Sequence, residues 1–592
     1  MRRSYSTRSL LLCLLCVAPL ARGGAQTARL DSLDAFVKAQ MAQRNVRGVS
    51  LAIIKDGRIA LARAYGVVND STRALVTTST LFQAGSVSKP VAALGALHLV
   101  ENGTLALDAD VNAKLRSWKV PDGPFTSAEK VTLRRLLSHT AGLNVHGFPG
   151  YDVAGPVPSL TQVLDGASPT NTAPIRVDTT PGAIWRYSGG GFTVMQQLVI
   201  DVTGETFPQF MQRAVLDPIG MTNSTFEQPL PSARAALTAS GYYTDGTPVR
   251  GRWHVYPEMA AAGLWTTPTD LARFAIEIQK TLGGRGSGVV SQATARQYVT
   301  EQKNGYGLGV GVRGTGATLR FSHGGRDEGF DAFLAAGAES GDGVVIMMNA
   351  NDNSPLQPRI RDYVERLWSF AGVPPTRPAP AATVAARIDP SRLAAYAGYY
   401  EVGENNMIGL AGAPAISGMQ MLVDGRPSEN LLAMDSVRFG SSERPFRLVL
   451  VTEGGRVTGA TWAQGEPRER RAPRVSPLPS AMQPGPDLEP ALTTRISTAL
   501  GALRAGGEVL ANATDVTAGA KRVFARGTAG LADFVNATYL GEEDVAGRGI
   551  RRHGSEVSRV RRYRMRTQRG ERWLMVHLTA EGAVTDYDIL LR

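Results

Sequence analysis

Between residues 29 and 46 the apolar side chains Leu30, Leu33, Phe36, Val37 and Met41 recur at three- and four-residue steps. That period predicts an amphipathic helix. The rhythm then changes. "GVSLAIIKDGRIALARAYG" (48–66) holds two apolar, alternating runs joined by Lys55-Asp56-Gly57-Arg58. Asp-Gly suits a tight hairpin turn, in which both central residues need positive φ, so the helix should lead into a β-hairpin. From about 82 to 280 the chain reads as helix and loop. "PVAALGALHLVENG", stopped by Gly103, "VTLRRLLSHTAGL" and "TDLARFAIEIQKTL" all carry helical periods. From about 305 to 350 short Gly-punctuated strands return: "YGLGVGV", "LRFSHGG", "DAFLAAGAES" and "GDGVVIMMNA". A helical "IRDYVERLWSFAG" closes the region. Strands at both ends with helices between predict an α+β domain over 28–372. Its antiparallel sheet is flanked by helices and interrupted by a helical insertion.

Beyond it, "VPPTRPAPAATVAAR" predicts an extended, semi-rigid Pro/Ala linker at 373–387. Residues 388–475, with "YAGYYEV", "MQMLVDG" and "FRLVLVTEGGRVTGATWA", show short alternating strands at turn-rich spacing and predict a small all-β domain. After a second Pro-rich stretch, 487–592 opens on helical "LEPALTTRISTALGALRAGG" and ends in strands, an α+β accessory unit. There Arg562, Arg564 and Arg566 alternate with Tyr563 and Met565. That spacing predicts a strand with one solvated basic face, the alternative being a phosphate- or wall-binding surface.

Length and composition add three points. A chain of 592 residues exceeds one hydrophobic core, in line with several domains. Its start is unusual: basic "MRRSYSTR", then apolar "SLLLCLLCVAPLA", then Gly23 and Ala25 at the small positions before a cut. This predicts a secretory signal over 1–25, cleaved near Ala25, and a secreted or periplasmic mature protein. A retained N-terminal anchor is the competing reading. No later stretch is long and apolar enough for a membrane helix. Cys13 and Cys16 both lie in the signal, so the mature chain has no thiol for a disulfide, a nucleophile or a zinc site. Four arginines leave with the signal, reducing the net charge from +12 to +8, a modest value that does not establish nucleic-acid binding.

Candidate chemistry begins with "FQAGSVSKPVAALG". Ser86 and Lys89 stand three apart where a helix begins, which puts them on one face about 5–6 Å apart at Cβ. A serine hydroxyl needs a neighbouring base, and a lysine amine becomes one when burial lowers its pKa. The helix start also offers backbone N–H groups to an oxyanion. Alone, S-x-x-K recurs by chance, and a plain helix start explains it equally well. "WRYSGGGF" adds Tyr187 in a Gly-rich turn, where a phenolate or a proton relay shares the base role, or the ring simply packs. "FSHGGRDEGF" adds His323-Gly324-Gly325 at a strand edge, which can donate N–H groups to a carbonyl while His323 orients a carboxylate or hydroxyl. Metal and cofactor signals are lacking: there is no H-E-x-x-H, Walker A or dinucleotide fingerprint. His139 and His146 stand seven apart with no supporting ligand pattern, and His139 reads as structural.

Taken in order, Ser86-Val87-Ser88-Lys89, Tyr187-Ser188-Gly189 and His323-Gly324-Gly325 resemble the class C β-lactamase family, which includes D,D-peptidases, D-aminopeptidases and esterases. "LLSHTAGL" (136–143) and "AAGLWTTPTDLARF" (261–274) strengthen the resemblance, which covers about 30–370. It implies a β-lactamase/transpeptidase-like fold, with Ser86 as acylated nucleophile and Lys89 and Tyr187 as proton-handling pair. His323 takes the third-motif position, and the N–H groups of Ser86 and Arg326 form the oxyanion hole. Two departures matter. The second motif commonly reads Tyr-x-Asn, and Gly189 removes that amide. The third commonly carries Lys in true β-lactamases, and His323 is more typical of esterase and peptidase relatives. "RLAAYAGYYEV" is similar to the start of small β-barrel domains appended to this family. The expected protein is therefore a metal-independent serine hydrolase of small esters, D-amino-acid amides or peptides, or β-lactams, in that order. A D,D-carboxypeptidase acting on cell-wall peptides, and a non-catalytic binding protein on the same fold, are the alternatives.

Overall fold

A computed structural model describes residues 18–243, 246–351, 356–371, 388–403, 406–414, 417–423, 426–441, 446–464, 469–478, 484–524, 531, 534–567 and 570–591. Most of the expected signal segment, with both cysteines, and the linker at 373–387 lie outside the described residues. The chain divides into two compact units, Met1–Pro375 and Thr376–Arg592.

In the first unit, helix α1 (Ala18–Arg44) leads into the hairpin β1 (Gly48–Lys55) and β2 (Arg58–Gly66). Asp56 and Gly57 hold φ of 53° and 67°, the left-handed pair that the two-residue turn demands. Helices α2 (Ser88–Glu101), α3 (Gly189–Thr203) and α4 (Pro268–Leu282) follow, then β3 (Gly311–Arg313), β4 (Arg320–Asp327), β5 (Phe330–Gly337), β6 (Gly343–Met348) and α5 (Leu356–Leu367). The sheet runs β2-β1-β6-β5-β4-β3, antiparallel throughout. The first strand thus pairs with the last, from Val49 opposite Met348 to Ile54 opposite Gly343.

The adjacent strands β1 and β6 are buried on both faces, and the strand period sorts their side chains. Val49, Leu51 and Ile53 of β1, with Val344, Ile346 and Met348 of β6, pack on Leu33 and Val37 of α1 and Ile360 and Val364 of α5. Ala52, Ile54, Val345 and Met347 face the other way, into the larger core with α2 and α4. Two expected elements shrink. The helix read into "VTLRRLLSHTAGL" covers only Leu133–Leu137, because His139 (φ 58°) and Gly142 (φ 70°) turn the chain out of helical geometry. "YGLGVGV" yields only the short β3, since Gly305 and Gly309 also hold positive φ. Among the described residues no helix is long and apolar enough to cross a membrane.

In the second unit, eight strands among the described residues, β7 (Gly398–Gly403) to β14 (Arg470–Ser476), close into an antiparallel barrel filled by side chains such as Tyr400, Leu410, Met419, Phe439 and Leu448. Helix α6 (Pro490–Ala505) packs on a sheet ordered β15 (Phe534–Asp544), β16 (Arg559–Thr567), β17 (Gly570–Leu578), β18 (Val584–Leu591). The observed class is the expected one: a helix-flanked antiparallel sheet, then an all-β part, then an α+β part. The solvated basic face expected on β16 is not what forms. Arg566 is exposed, but Arg562 is buried, donating to Ser476 Oγ (3.1 Å) and lying 3.7 Å from Glu543. Val560, two residues earlier on that face, joins Tyr399 and Val475 of the barrel in one apolar cluster, so the barrel covers this end of the strand.

Candidate active site

Ser86 sits in a tight 3-10 turn, Gly85–Val87, immediately before α2. Two glycines set its position. Gly85 has φ 51°, and a side chain there would overlap the Arg326 amide nitrogen. A Cβ on Gly325 would overlap the Ala84 carbonyl and lie 3.0 Å from the Ser86 nitrogen. The turn therefore lies flush against β4, bringing the Ser86 amide to the strand that carries the Arg326 amide. Pro90 falls in the first turn of α2, where a missing N–H costs no helical hydrogen bond.

Helix α2 is buried nearly all round, and Lys89 with it. Its Nζ donates to Ser86 Oγ (2.9 Å) and to the Ala261 carbonyl (2.8 Å). Burial disfavours the ammonium and lowers the Lys89 pKa to about 7, against a smaller opposing pull from Asp327. In its neutral form the amine keeps one N–H on Ala261 and turns its lone pair to the Ser86 hydroxyl. Tyr187 precedes α3, whose N-cap, Ser188, accepts from the Gly191 amide and donates to the Asn144 carbonyl (2.7 Å). Its ring centroid is 5.0 Å from Lys89 Nζ, and its hydroxyl is close enough to the Ser86 side chain to be influenced by it. Burial pushes the Tyr187 phenol well above its ordinary value. That burial disfavours the phenolate of the two expected readings and outweighs the opposing pull of the Ser86 side chain.

His323 is buried on β4. Its Nδ1 lies 2.6 Å from the Gly324 carbonyl and its Nε2 2.9 Å from the Tyr306 hydroxyl. A carbonyl only accepts, so Nδ1 carries the proton and Nε2 accepts from Tyr306. Burial, then Lys89, lower the ring pKa to about 3, so His323 is a neutral imidazole. Gly189 starts α3 and lies behind the site. A side chain there would meet the His146 carbonyl and the Phe148 ring, each 3.0 Å away, so the packing leaves no room for one.

Ser86, Lys89, Tyr187, His323, Gly324, Gly325 and Arg326 line one cavity of about 660 Å³, and Gly189 does not. His139 is buried behind it, 4.2 Å from the Tyr187 ring and 4.7 Å from that of Tyr306, and takes the Ser188 amide on Nδ1. Sequence reasoning missed His146, Phe148, Asp327 and Glu328 in the lining, and Tyr306 and Ala261 as partners. Ala261 lies inside a stretch that carried the family resemblance. Asp327 and Glu328 directly follow the His323-Gly324-Gly325-Arg326 string, while nothing in the spacing of His146, Phe148 and Tyr306 placed them at the site.

Such a serine, bonded to a buried amine at the start of a helix and facing strand-edge amides, fits the class of active-site serine hydrolases. The chain belongs to the Beta-lactamase family, whose model matches residues 33–367. Penicillin-binding protein 4 of Amycolatopsis lactamdurans is 28% identical over 57% of this chain and 91% of its own length. Esterase EstB of Burkholderia gladioli is 30% identical over 36% of this chain and 55% of its own. A β-lactamase of Lysobacter lactamgenus is 28% identical over 60% of this chain and 96% of its own. Among solved structures, the octameric penicillin-binding protein homologue from Pyrococcus abyssi superposes with a TM-score of 0.52, at 21% identity, over 75% of this chain and 99% of its own, a likeness of fold.

Proposed function

We propose that this chain is a secreted serine hydrolase that cleaves small esters and amino-acid amides or peptides through an ester-linked acyl-enzyme. The observation that carries the reading is the 2.9 Å bond between Lys89 Nζ and Ser86 Oγ, with the amine buried and its pKa near 7. In the proposed first step, Ser86 Oγ attacks the substrate carbonyl carbon while its proton passes to neutral Lys89 Nζ. The oxyanion takes the N–H groups of Ser86 and Arg326. The proton then returns through Tyr187 to the leaving alcohol or amine, and the C–O or C–N bond breaks. Water, deprotonated by the same amine, attacks the acyl carbon; the bond from that carbon to Ser86 Oγ breaks, and the amine returns the proton to Oγ. Residues 1–25 serve in this reading as the export signal, and 373–387 as the linker to a barrel and an α+β accessory part.

β-Lactams and cell-wall peptides rank below esters, because His323 is neutral where a charged third-motif residue would meet a substrate carboxylate. A D,D-carboxypeptidase remains the second reading, favoured by the 91% coverage of a relative named as a penicillin-binding protein. Purified protein should be offered a fluorescent penicillin, a nitrophenyl ester and a D-Ala-D-Ala peptide side by side. Turnover of the ester with a burst, and a loss of about 10³-fold or more in Ser86→Ala, is the expected result. No covalent label and no turnover of any of the three would instead identify a binding protein.

A further inference from the structure

The cavity has an acidic end that the hydrolytic steps do not use. Strand alternation places His323, Gly325 and Asp327 on the same face of β4, the face that meets the Ser86 turn. Asp327 lines the cavity but is only 3% exposed, and neither of its carboxylate oxygens makes a hydrogen bond. The polar groups around it are the Gly85 amide, which points at it as a weak donor, the Tyr256 hydroxyl, Lys89, Glu328 and Glu258. A carboxyl buried this deeply is normally satisfied, so an unpartnered one facing a substrate cavity marks a place for a donor that arrives with the ligand. Glu328, half-buried, lines the cavity beside it, its amide held by the Tyr256 hydroxyl at 2.9 Å. A third acid, Asp331, is already paired with Arg326 at 2.7 and 3.0 Å.

The cationic side is weak by contrast. Among the described lining residues, Lys89 and Arg326 are the strong bases. The first is committed to Ser86 and Ala261, the second bonded to Asp331. His323 is neutral with both ring nitrogens engaged.

We propose that Asp327, with Glu328, forms an ammonium subsite, so that the preferred substrate carries a primary amine on its acyl half, close to the carbonyl that Ser86 attacks. The inference rests on the hydrolase reading above and names the substrate class for it. Burial holds both carboxyls above their usual range when the cavity is empty, and an incoming ammonium restores the charged form by pairing with it. A carboxylate in the same place meets two acids and no free cation.

The test uses the full-length secreted protein and three nitroanilides of each alanine enantiomer. One has a free α-amine, one is N-acetylated and neutral, and one is N-succinylated and anionic. Wild type should favour the free amine over the N-acetyl form by about tenfold or more in kcat/KM, and turn over the succinyl form least. Asp327→Asn should collapse the amine-to-acetyl ratio to within about threefold of unity, whatever its absolute rate, and Glu328→Gln should lower it partway. Equal or better turnover of the N-acetyl form by wild type overturns the subsite. So does an Asp327→Asn protein that keeps the wild-type ratio. If Asp327→Asn does not fold, the wild-type series and Glu328→Gln decide. Nitrophenyl acetate separates the two failures. Ser86 acylated by it with no amine preference removes only the subsite, and no acylation removes the hydrolase reading with it.

Discussion

Burial of α2 on nearly every side is what would let Lys89 act as the proposed base, and the same burial makes it a burden on the fold. With its pKa near 7, the neutral fraction grows as pH rises through that value. Ester acylation should therefore climb about tenfold per pH unit below 7 and level off above it, with a midpoint near 7 in kcat/KM. A flat profile from pH 5 to 9 would remove Lys89 from the base role. The stability consequence has the opposite ring. Between about 7 and the ordinary 10.5 the unfolded chain still binds the proton that the folded one has released, so the folded state gains stability as pH rises through that window. Below it the buried ammonium is at its most costly. Lys89→Met should thus abolish acylation yet unfold at higher urea than wild type at pH 7, by on the order of 1 kcal/mol or more, with the gap narrowing toward pH 10. A less stable variant would show that the bonds to Ser86 and Ala261 outweigh desolvation. At this scale the motif residues were legible in the sequence, since S-x-x-K, Y-S-G and H-G-G are local strings. Their protonation states were not. The neutral His323 depends on burial and on Lys89, 234 residues away, and the Tyr187 phenol on how much apolar surface surrounds it.

Between elements, the decisive contact is the Ser86 turn against β4. Gly85 and Gly325 belong to strings 240 residues apart, and each is required because the other's backbone is already there. Gly85→Ala would have to move the turn off the strand while holding a positive φ. A loss of at least about 100-fold in the acylation rate is expected, with a drop in stability of about 1–2 kcal/mol from backbone strain. Gly103→Ala is the matched control, because Gly103 also has positive φ (77°) but faces open space. It should cost similar stability and leave acylation unchanged. Equal activity in the two variants would mean that the close approach is not needed. Period and turn chemistry made the hairpin, α2, α4 and the last three strands of the first sheet readable. They overreached at "VTLRRLLSHTAGL", where an apolar spacing compatible with a helix is overridden by loop packing around His139.

Across the second unit, Arg552 is buried with carboxylates from two different parts: Glu401 of β7 at 2.6 Å, and Asp586 and Asp588 of β18 at 3.4 and 3.6 Å. Arg552→Leu removes the arginine that all three acids share and leaves Asp586 and Asp588 with His553 and His577. The second unit should lose about 3–5 kcal/mol, read as a lower urea midpoint by far-UV circular dichroism. An unchanged midpoint would show that the acids find water or protons at little cost. What the sequence by itself determined is whatever local pattern encodes: which strands alternate, where the tight turn falls, and the order Ser86, Tyr187, His323 that marks the family. What only the tertiary structure decided is the environment of those groups. The chain folds Lys89 out of water, seals Arg562 under the barrel, and buries Asp327 in the wall of the cavity that Ser86 also lines. Charge states and binding preferences follow from dielectric and from neighbours distant along the chain, and no periodicity records either.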